Sequence, residues 1–129
     1  MSHTVKINAK FLASELPVLL KVFAKLGWVT QENELIRSYD RTTERFPIVA
    51  KNPDKEHRAY DIGLKIEGSE VQLYTDFYGG SVAKTLGPDL QILKQEYAVA
   101  VIEDEYPNAS IVRNVLPNGD LEVTVEEWA

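Results

Sequence analysis

The chain contains no cysteine and a single methionine among its 129 residues. The absence of cysteine excludes a disulfide framework, a thiol nucleophile and a zinc site built on thiolates. The apolar runs are far shorter than the roughly 18 residues that a transmembrane helix needs, and no secretory signal is recognisable. The sequence therefore predicts a soluble cytoplasmic protein with no membrane insertion. It assigns no cofactor and no set of metal ligands.

Clusters of basic residues are also missing. Lysine and arginine number 14 against 20 aspartates and glutamates, which gives a net charge of −6 and an isoelectric point near 4.9. A protein that binds nucleic acid neutralises phosphates with a basic patch, and this chain offers none. The charge balance therefore argues against a nucleic-acid partner.

What the chain does contain is ordinary for a globular protein. Hydrophobic residues make up 44% and charged residues 26% of the sequence. A length of 129 residues suits a single hydrophobic core, and no internal repeat is present. We therefore predict a single domain that spans residues 1–129.

The stretch Tyr60–Gly80 has the pattern of a β-hairpin. Gly68-Ser69 suits a two-residue turn, because glycine accepts a positive φ without steric cost. This turn places Glu67 opposite Glu70. The predicted core face then carries the following residues: Tyr60, Ile62, Leu64, Ile66, Val71, Leu73, Thr75 and Phe77.

The opposite face of this hairpin pairs Asp61 with Asp76, which would place like charges directly opposite each other. Three interpretations remain open. The two carboxylates are solvated at a sheet edge, or they bind an arginine such as Arg37 or Arg113, or they hold a cation or share a proton. On the same face, Tyr74 is predicted to cover Gly63.

Candidate binding residues cluster around this pair of carboxylates. The sequence offers no nucleophile beside a tuned base, so an enzyme is the less favoured hypothesis. We predict no catalytic residues. The predicted binding residues are Asp61, Tyr74, Asp76, Tyr78, Arg37 and Tyr39.

The rest of the chain predicts two helices and further strands. Helix one follows an N-cap at Ser14, and helix two begins at Pro88 and runs to about Tyr106. A second strand is predicted over Leu35–Arg41, and a last hairpin turns at Pro117-Asn118-Gly119. This order predicts an α+β fold, with an antiparallel or mixed sheet of about five to seven strands and two helices packed on one face.

An ordered set of short motifs resembles a known family. The motifs are Met1-Ser2-His3, Leu26-Gly27, Arg37-Ser38-Tyr39, Tyr60-Asp61-Ile62-Gly63, Asp76-Phe77-Tyr78-Gly79, Gln95-Glu96-Tyr97-Ala98 and a closing Trp128. Together they resemble the hypothetical chloroplast reading-frame thirty-five family of plastids, cyanobacteria and phages. The central loop is more charged here than in that family. The resemblance implies a lineage and a compartment, the cytoplasm or the plastid stroma, and it places Asp61 and Asp76 in family motifs.

Two functional hypotheses follow from the sequence. In the first, the protein is a small acidic accessory or adaptor protein that acts through protein–protein interaction. In the second, it is a small-ligand or metal-binding domain, or a small enzyme, that uses Asp61 and Asp76. A homodimer is compatible with either hypothesis.

Overall fold

A computed structural model describes residues 2–6, 10–37, 45–54, 59–75, 80–117 and 121–127. The elements in chain order are β1 (Ser2–Lys6), a 3-10 turn (Ala13–Glu15), α1 (Leu16–Lys25), β2 (Val29–Leu35), β3 (Arg45–Lys51), β4 (Ile62–Glu67), β5 (Glu70–Thr75), α2 (Ser81–Leu86), a second 3-10 turn (Pro88–Leu90), α3 (Gln91–Glu105), β6 (Ala109–Val115) and β7 (Leu121–Glu127).

The strands form two antiparallel sheets. One sheet has the order β2-β3-β4-β5 and the other has the order β1-β7-β6. The predicted α+β class is confirmed. The sequence predicts one sheet, however, and the described strands are divided between two.

Helix α3 explains this division, because it buries two apolar stripes. Leu93 and Tyr97 belong to the main core, which α1 and the four-stranded sheet also line. Val99 and Ile102 pack instead with Val123 and Val125 of β7, in a separate cluster. The sequence pattern predicts one buried stripe on this helix, formed by Leu90, Leu93, Tyr97, Ala98 and Val101. It therefore does not predict the second sheet.

The main core lies between α1 and the inner face of the four-stranded sheet. Leu19, Phe23 and Trp28 on one side, and Ile62 and Leu64 on the other, are almost completely buried. Each such side chain stabilises the fold by about 1.5–3 kcal/mol relative to an exposed one. This burial fixes the inner face of the sheet and leaves its outer face for other contacts.

Both predicted hairpin registers are confirmed. In β4 and β5, Glu67 pairs with Glu70 and Ile62 pairs with Thr75. In β6 and β7, Val115 pairs with Leu121 and Ile111 pairs with Val125. Ile66 is an exception to the predicted burial, because this residue beside the turn is exposed.

The start of α1 and the position of the second strand differ from the prediction. Helix α1 follows the first 3-10 turn, and Glu15 rather than Ser14 is its N-cap, with no side-chain cap. The second strand is β2, Val29–Leu35, rather than Leu35–Arg41. Most side chains of this edge strand are exposed, so it lacks the apolar alternation that identifies half-buried strands.

The hairpin of β2 and β3 is bent back on itself. Val29 pairs with Lys51 and Leu35 pairs with Arg45, so the two ends of a straight hairpin would be about 20 Å apart. Yet Lys51 Nζ donates a hydrogen bond to the Leu35 carbonyl at 3.1 Å. Asn33, with a φ of 51°, lies at the bend. We call residues 34–37 and 45–47, which fold over the outer face of the sheet, the folded arm.

The folded arm rests on Gly63. A Cβ atom on this residue would lie 2.5 Å from the Phe46 ring. Phe46 also packs with Ile36 and Val49 in a small buried cluster. The sequence analysis assigns the cover of Gly63 to Tyr74. In the structure Phe46 provides that cover, and the Tyr74 ring packs on Phe46 with ring centroids 5.5 Å apart.

We expect Gly63→Ala to lower the free energy of unfolding by about 1–3 kcal/mol, because the new methyl group overlaps the Phe46 ring. The effect is measured by urea denaturation.

The control is the same change in a Phe46→Leu background, where the aromatic ring is absent. The cost of Gly63→Ala should be smaller in that background. Equal costs in the two backgrounds would contradict the packing of the folded arm on Gly63.

Candidate functional site

The Asp61 carboxylate is fully buried at the start of β4, with 0% of the residue exposed. Its oxygens accept hydrogen bonds from Arg37 Nη2 at 2.8 Å, from Arg37 Nε at 3.0 Å and from the Arg37 amide at 2.8 Å. The Asn52 amide donates a further bond at 2.9 Å, and Lys51 Nζ lies 3.5 Å away. For Asp61, the structure therefore confirms the second of the three interpretations, in which an arginine binds the carboxylate.

These contacts join three parts of the chain. The Arg37 guanidinium also donates to the Asn52 carbonyl at 3.0 Å, and the Arg37 carbonyl accepts a bond from the Asp61 amide at 3.0 Å. Asn52 in turn donates through Nδ2 to the Tyr60 carbonyl at 3.1 Å. We call Arg37, Lys51, Asn52 and Asp61 the Asp61 latch, because they tie the folded arm to the ends of β3 and β4.

The latch perturbs the acidity of its two central groups. Burial raises the pKa of Asp61, but the hydrogen bonds from Arg37 and Asn52 outweigh burial, so the pKa lies below its ordinary value. The hydrogen bond to Asp61 raises the pKa of Arg37 above its ordinary value. Both residues therefore stay charged in the folded protein at neutral pH.

The number of hydrogen-bond donors around the Asp61 carboxylate limits what this group can do chemically. A carboxylate has about four lone-pair sites, and the donors of the latch occupy them. Asp61 is therefore a structural anion rather than an open ligand or a general base. Across the described ranges, no group of three His, Cys, Asp or Glu side chains is placed to hold a metal ion.

Tyr74 lies on the outer face of the same sheet, and 38% of it is exposed. Its hydroxyl donates to Glu67 Oε1 at 2.8 Å. Lys65 Nζ lies 5.3 Å from the Tyr74 ring centroid and 5.1 Å from that of Phe46. We call Phe46, Lys65, Glu67 and Tyr74 the outer-face stack.

The other predicted site residues are not all placed. Tyr39, Asp76 and Tyr78 lie outside the described residues, and so does the predicted Asp61–Asp76 pair. Arg113, the second arginine considered for the carboxylates, pairs with Glu96 at 2.6 Å instead.

The sequence does not identify Lys51 and Asn52 as members of the latch. Asn52 lies in an Asn-Pro-Asp segment that the sequence identifies only as a turn. Its side-chain oxygen does accept the Asp54 amide at 3.0 Å, as in such a turn. No local signal in the sequence indicates that the folded arm returns to this turn.

A groove of about 330 Å³ lies between α1, α3 and β6. Its floor includes Val22 and Val99, and Glu96 bridges Lys25 at 3.1 Å and Arg113 at 2.6 Å. Burial raises the pKa of Glu96, but the hydrogen bonds from Arg113 and Lys25 hold it below its ordinary value. Three of the charged residues that line this groove, Lys25, Glu96 and Arg113, are therefore paired within the protein.

Comparisons of the chain with models of protein families, with curated proteins and with solved structures give no match. Within the part of the chain that the structure describes, none of the helices combines the length and hydropathy that crossing a bilayer requires.

We expect Asp61→Asn to lower the free energy of unfolding by about 1–3 kcal/mol, because the donors of Arg37 and Asn52 lose a charged, buried acceptor, while the Arg37 side chain is 39% exposed and keeps contact with water. The change is measured by urea denaturation at neutral pH. Glu67→Gln, which neutralises an exposed carboxylate, is the control and should cost far less. Equal losses in the two variants would contradict a structural role for the latch.

The latch also predicts a pH dependence. The pKa of Asp61 is lower in the folded chain than in the unfolded chain. The stability that the ionised Asp61 carboxylate gives to the fold is therefore complete above the unfolded pKa of about 3.9. It is lost as the pH falls through the folded pKa. The difference in unfolding free energy between the wild type and Asp61→Asn should therefore be constant from about pH 5 to 7 and shrink below about pH 4. A difference that grows on acidification would contradict the assignment.

Proposed function

We propose that this protein is an accessory or adaptor protein that acts by binding another protein through the outer face of its four-stranded sheet. The observation that carries this proposal is the state of Tyr74, which is exposed to solvent and yet held by neighbours on several sides. Its ring packs on Phe46, its hydroxyl bonds to Glu67, and Lys65 lies over it.

A side chain held in this way loses little conformational freedom when a partner covers it. Ordering a free side chain at an interface costs about 0.5–1.5 kcal/mol, and that cost is largely absent for Tyr74. Tyrosine and arginine are also the residue types enriched among those that dominate binding energy. Arg37, whose side chain is 39% exposed while the latch fixes its guanidinium, adds a second preorganised group.

The partner that we propose is basic overall. The net charge of −6 attracts a basic surface over a range of about 8 Å at physiological ionic strength. Such attraction accelerates encounter and suppresses acidic competitors more than it adds affinity.

The proposed surface also includes the three predicted binding residues that lie outside the described residues, and the family resemblance supports the proposed location. Tyr39 follows Arg37 by two positions, and Asp76 and Tyr78 follow Thr75, whose hydroxyl donates to the Asp61 carbonyl at 3.0 Å. We include these three residues in the proposed surface on the basis of sequence. The resemblance to the reading-frame thirty-five family supports a location in the cytoplasm or the plastid stroma.

We expect Tyr74→Ala to abolish capture of an abundant partner in a pull-down of the tagged protein from host extract, read by mass spectrometry. The reason is that the change removes the exposed ring and leaves the buried Phe46 in place. The melting temperature of the variant is measured in parallel, so that lost binding is separated from lost folding.

The matched control is Ile92→Ala, which removes an exposed apolar side chain from α3 rather than from the sheet. It should retain the partner. Retention of the partner by both variants, or its loss from both, would contradict the assignment of the interface to the outer face.

A further inference from the structure

The two sheets end in four edge strands, which are β2, β5, β1 and β6. An edge strand presents unpaired backbone groups that can pair with another chain, so proteins protect such edges with charges, prolines, irregular backbone or a covering segment. We compared the four edges for these protections within the described residues.

Three of the edges are protected. The segment before α1 covers β5, because the Val71 amide donates to the Phe11 carbonyl at 2.8 Å and the Ala13 amide donates to the Ser69 carbonyl at 2.9 Å. Strand β2 bends at Asn33 and carries two glutamates, and β1 ends in a lysine.

Strand β6 carries one charge, Arg113, whose guanidinium is bonded to Glu96 at 2.6 Å, and it has none of the other protections within the described residues. Its seven residues, ASIVRNV, include no lysine, proline or carboxylate and no residue with positive φ. Two of its valines are among the most exposed apolar side chains described, with Val112 54% and Val115 66% exposed. In an acidic chain, a regular and largely uncharged edge is a surface suited to strand pairing.

We propose that two copies of this protein pair through β6, as antiparallel strands related by a two-fold axis, to form a continuous six-stranded sheet from the two three-stranded sheets. This dimer is independent of the outer face proposed above for partner binding, since β6 belongs to the other sheet.

The register of the pairing follows from symmetry. A two-fold axis between antiparallel strands passes midway between one residue and the same residue of the second copy. Val112 is the middle residue of β6, so an axis at Val112 pairs all seven positions. An axis one residue further on would place Arg113 opposite Arg113, which like-charge repulsion disfavours. The axis at Val112 places Val112 against Val112 and Arg113 against Ile111.

The charges of the groove favour a second copy as the occupant of this edge. Strand β6 runs back along α3, since Arg113 meets Glu96 whereas Ala109 packs beside Ile102. In the proposed register, Arg113 of the second copy lies about 6.6 Å further towards the C-terminal end of α3. Two acidic residues line the groove in that direction, Glu103 and Asp104. Arg113 of each copy donates to Glu96 of its own chain through Nη1, and its remaining N–H groups would face the acidic end of the other copy's groove.

The first test is sedimentation equilibrium of the full chain from about 5 to 500 µM in about 0.15 M salt, where repulsion between the acidic molecules is screened. We expect a reversible dimer in the wild type. Val112→Lys, which sets two ammonium groups against each other at the axis, should weaken it at least tenfold, by about 1.4 kcal/mol or more. The control is Val29→Lys, because Val29 is 62% exposed on the protected edge β2. It should dimerise like the wild type.

The second test uses the absence of native cysteine. Val112→Cys should form an interchain disulfide on mild oxidation, because the two sulfur atoms meet at the axis. Val115→Cys, which is more exposed but faces Ala109 in this register, should form far less. A wild type that stays monomeric throughout the concentration range would overturn the proposal. Equal dimerisation of the two lysine variants, or preferential crosslinking at Val115, would also overturn it.

Discussion

The interaction on which the outer face of the four-stranded sheet depends is the buried ion pair between Asp61 and Arg37. The Asp61 carboxylate could not lie there alone, since an uncompensated buried carboxylate costs several kcal/mol. Together they hold the backbone of residue 37 against that of residue 61, although a straight hairpin of β2 and β3 would keep residues 35 and 51 about 20 Å apart. The bend at Asn33 and the contact of Phe46 with Gly63 belong to the same arrangement.

This arrangement gives Asp61 a different role from the one that the sequence predicts. An aspartate at a predicted like-charge pair is a candidate ligand or base, but Asp61 is saturated by its own chain. In the proposed function its contribution is indirect, because it fixes the folded arm that carries Phe46 and, with Phe46, the packing of Tyr74. Preorganisation of this kind favours a surface that binds another protein over a site that reacts with a small molecule.

The parts of the fold that the sequence predicts are local in the chain. The turn at Gly68-Ser69 fixes the register of β4 and β5, and the pattern around Pro117 does so for β6 and β7. Helix α3 is predicted with one apolar stripe, but its second stripe at Val99 and Ile102 determines the second sheet. The reason is that helical periodicity reports which residues are apolar and does not report which of two sheets each of them meets.

The parts that the sequence does not predict depend on contacts between distant segments. Strand β2 is polar because it is exposed, so its periodicity is weak. Arg37 and Asp61 are 24 positions apart, and the sequence yields their pairing only as one of several alternatives. Asn52 joins them through its backbone amide, a group that every residue but proline carries and that no sequence pattern distinguishes.

Amide hydrogen exchange of the wild type and Asp61→Asn, read residue by residue by NMR, tests the role of the latch most directly. In the wild type, the amides of Arg37 and Asn52 should be protected, because both donate to the buried carboxylate. In the variant, these two amides should exchange much faster, while that of Leu64 in the core strand β4 stays protected. Unchanged protection of Arg37 and Asn52 in the variant would contradict the claim that the Asp61 carboxylate holds the folded arm in place.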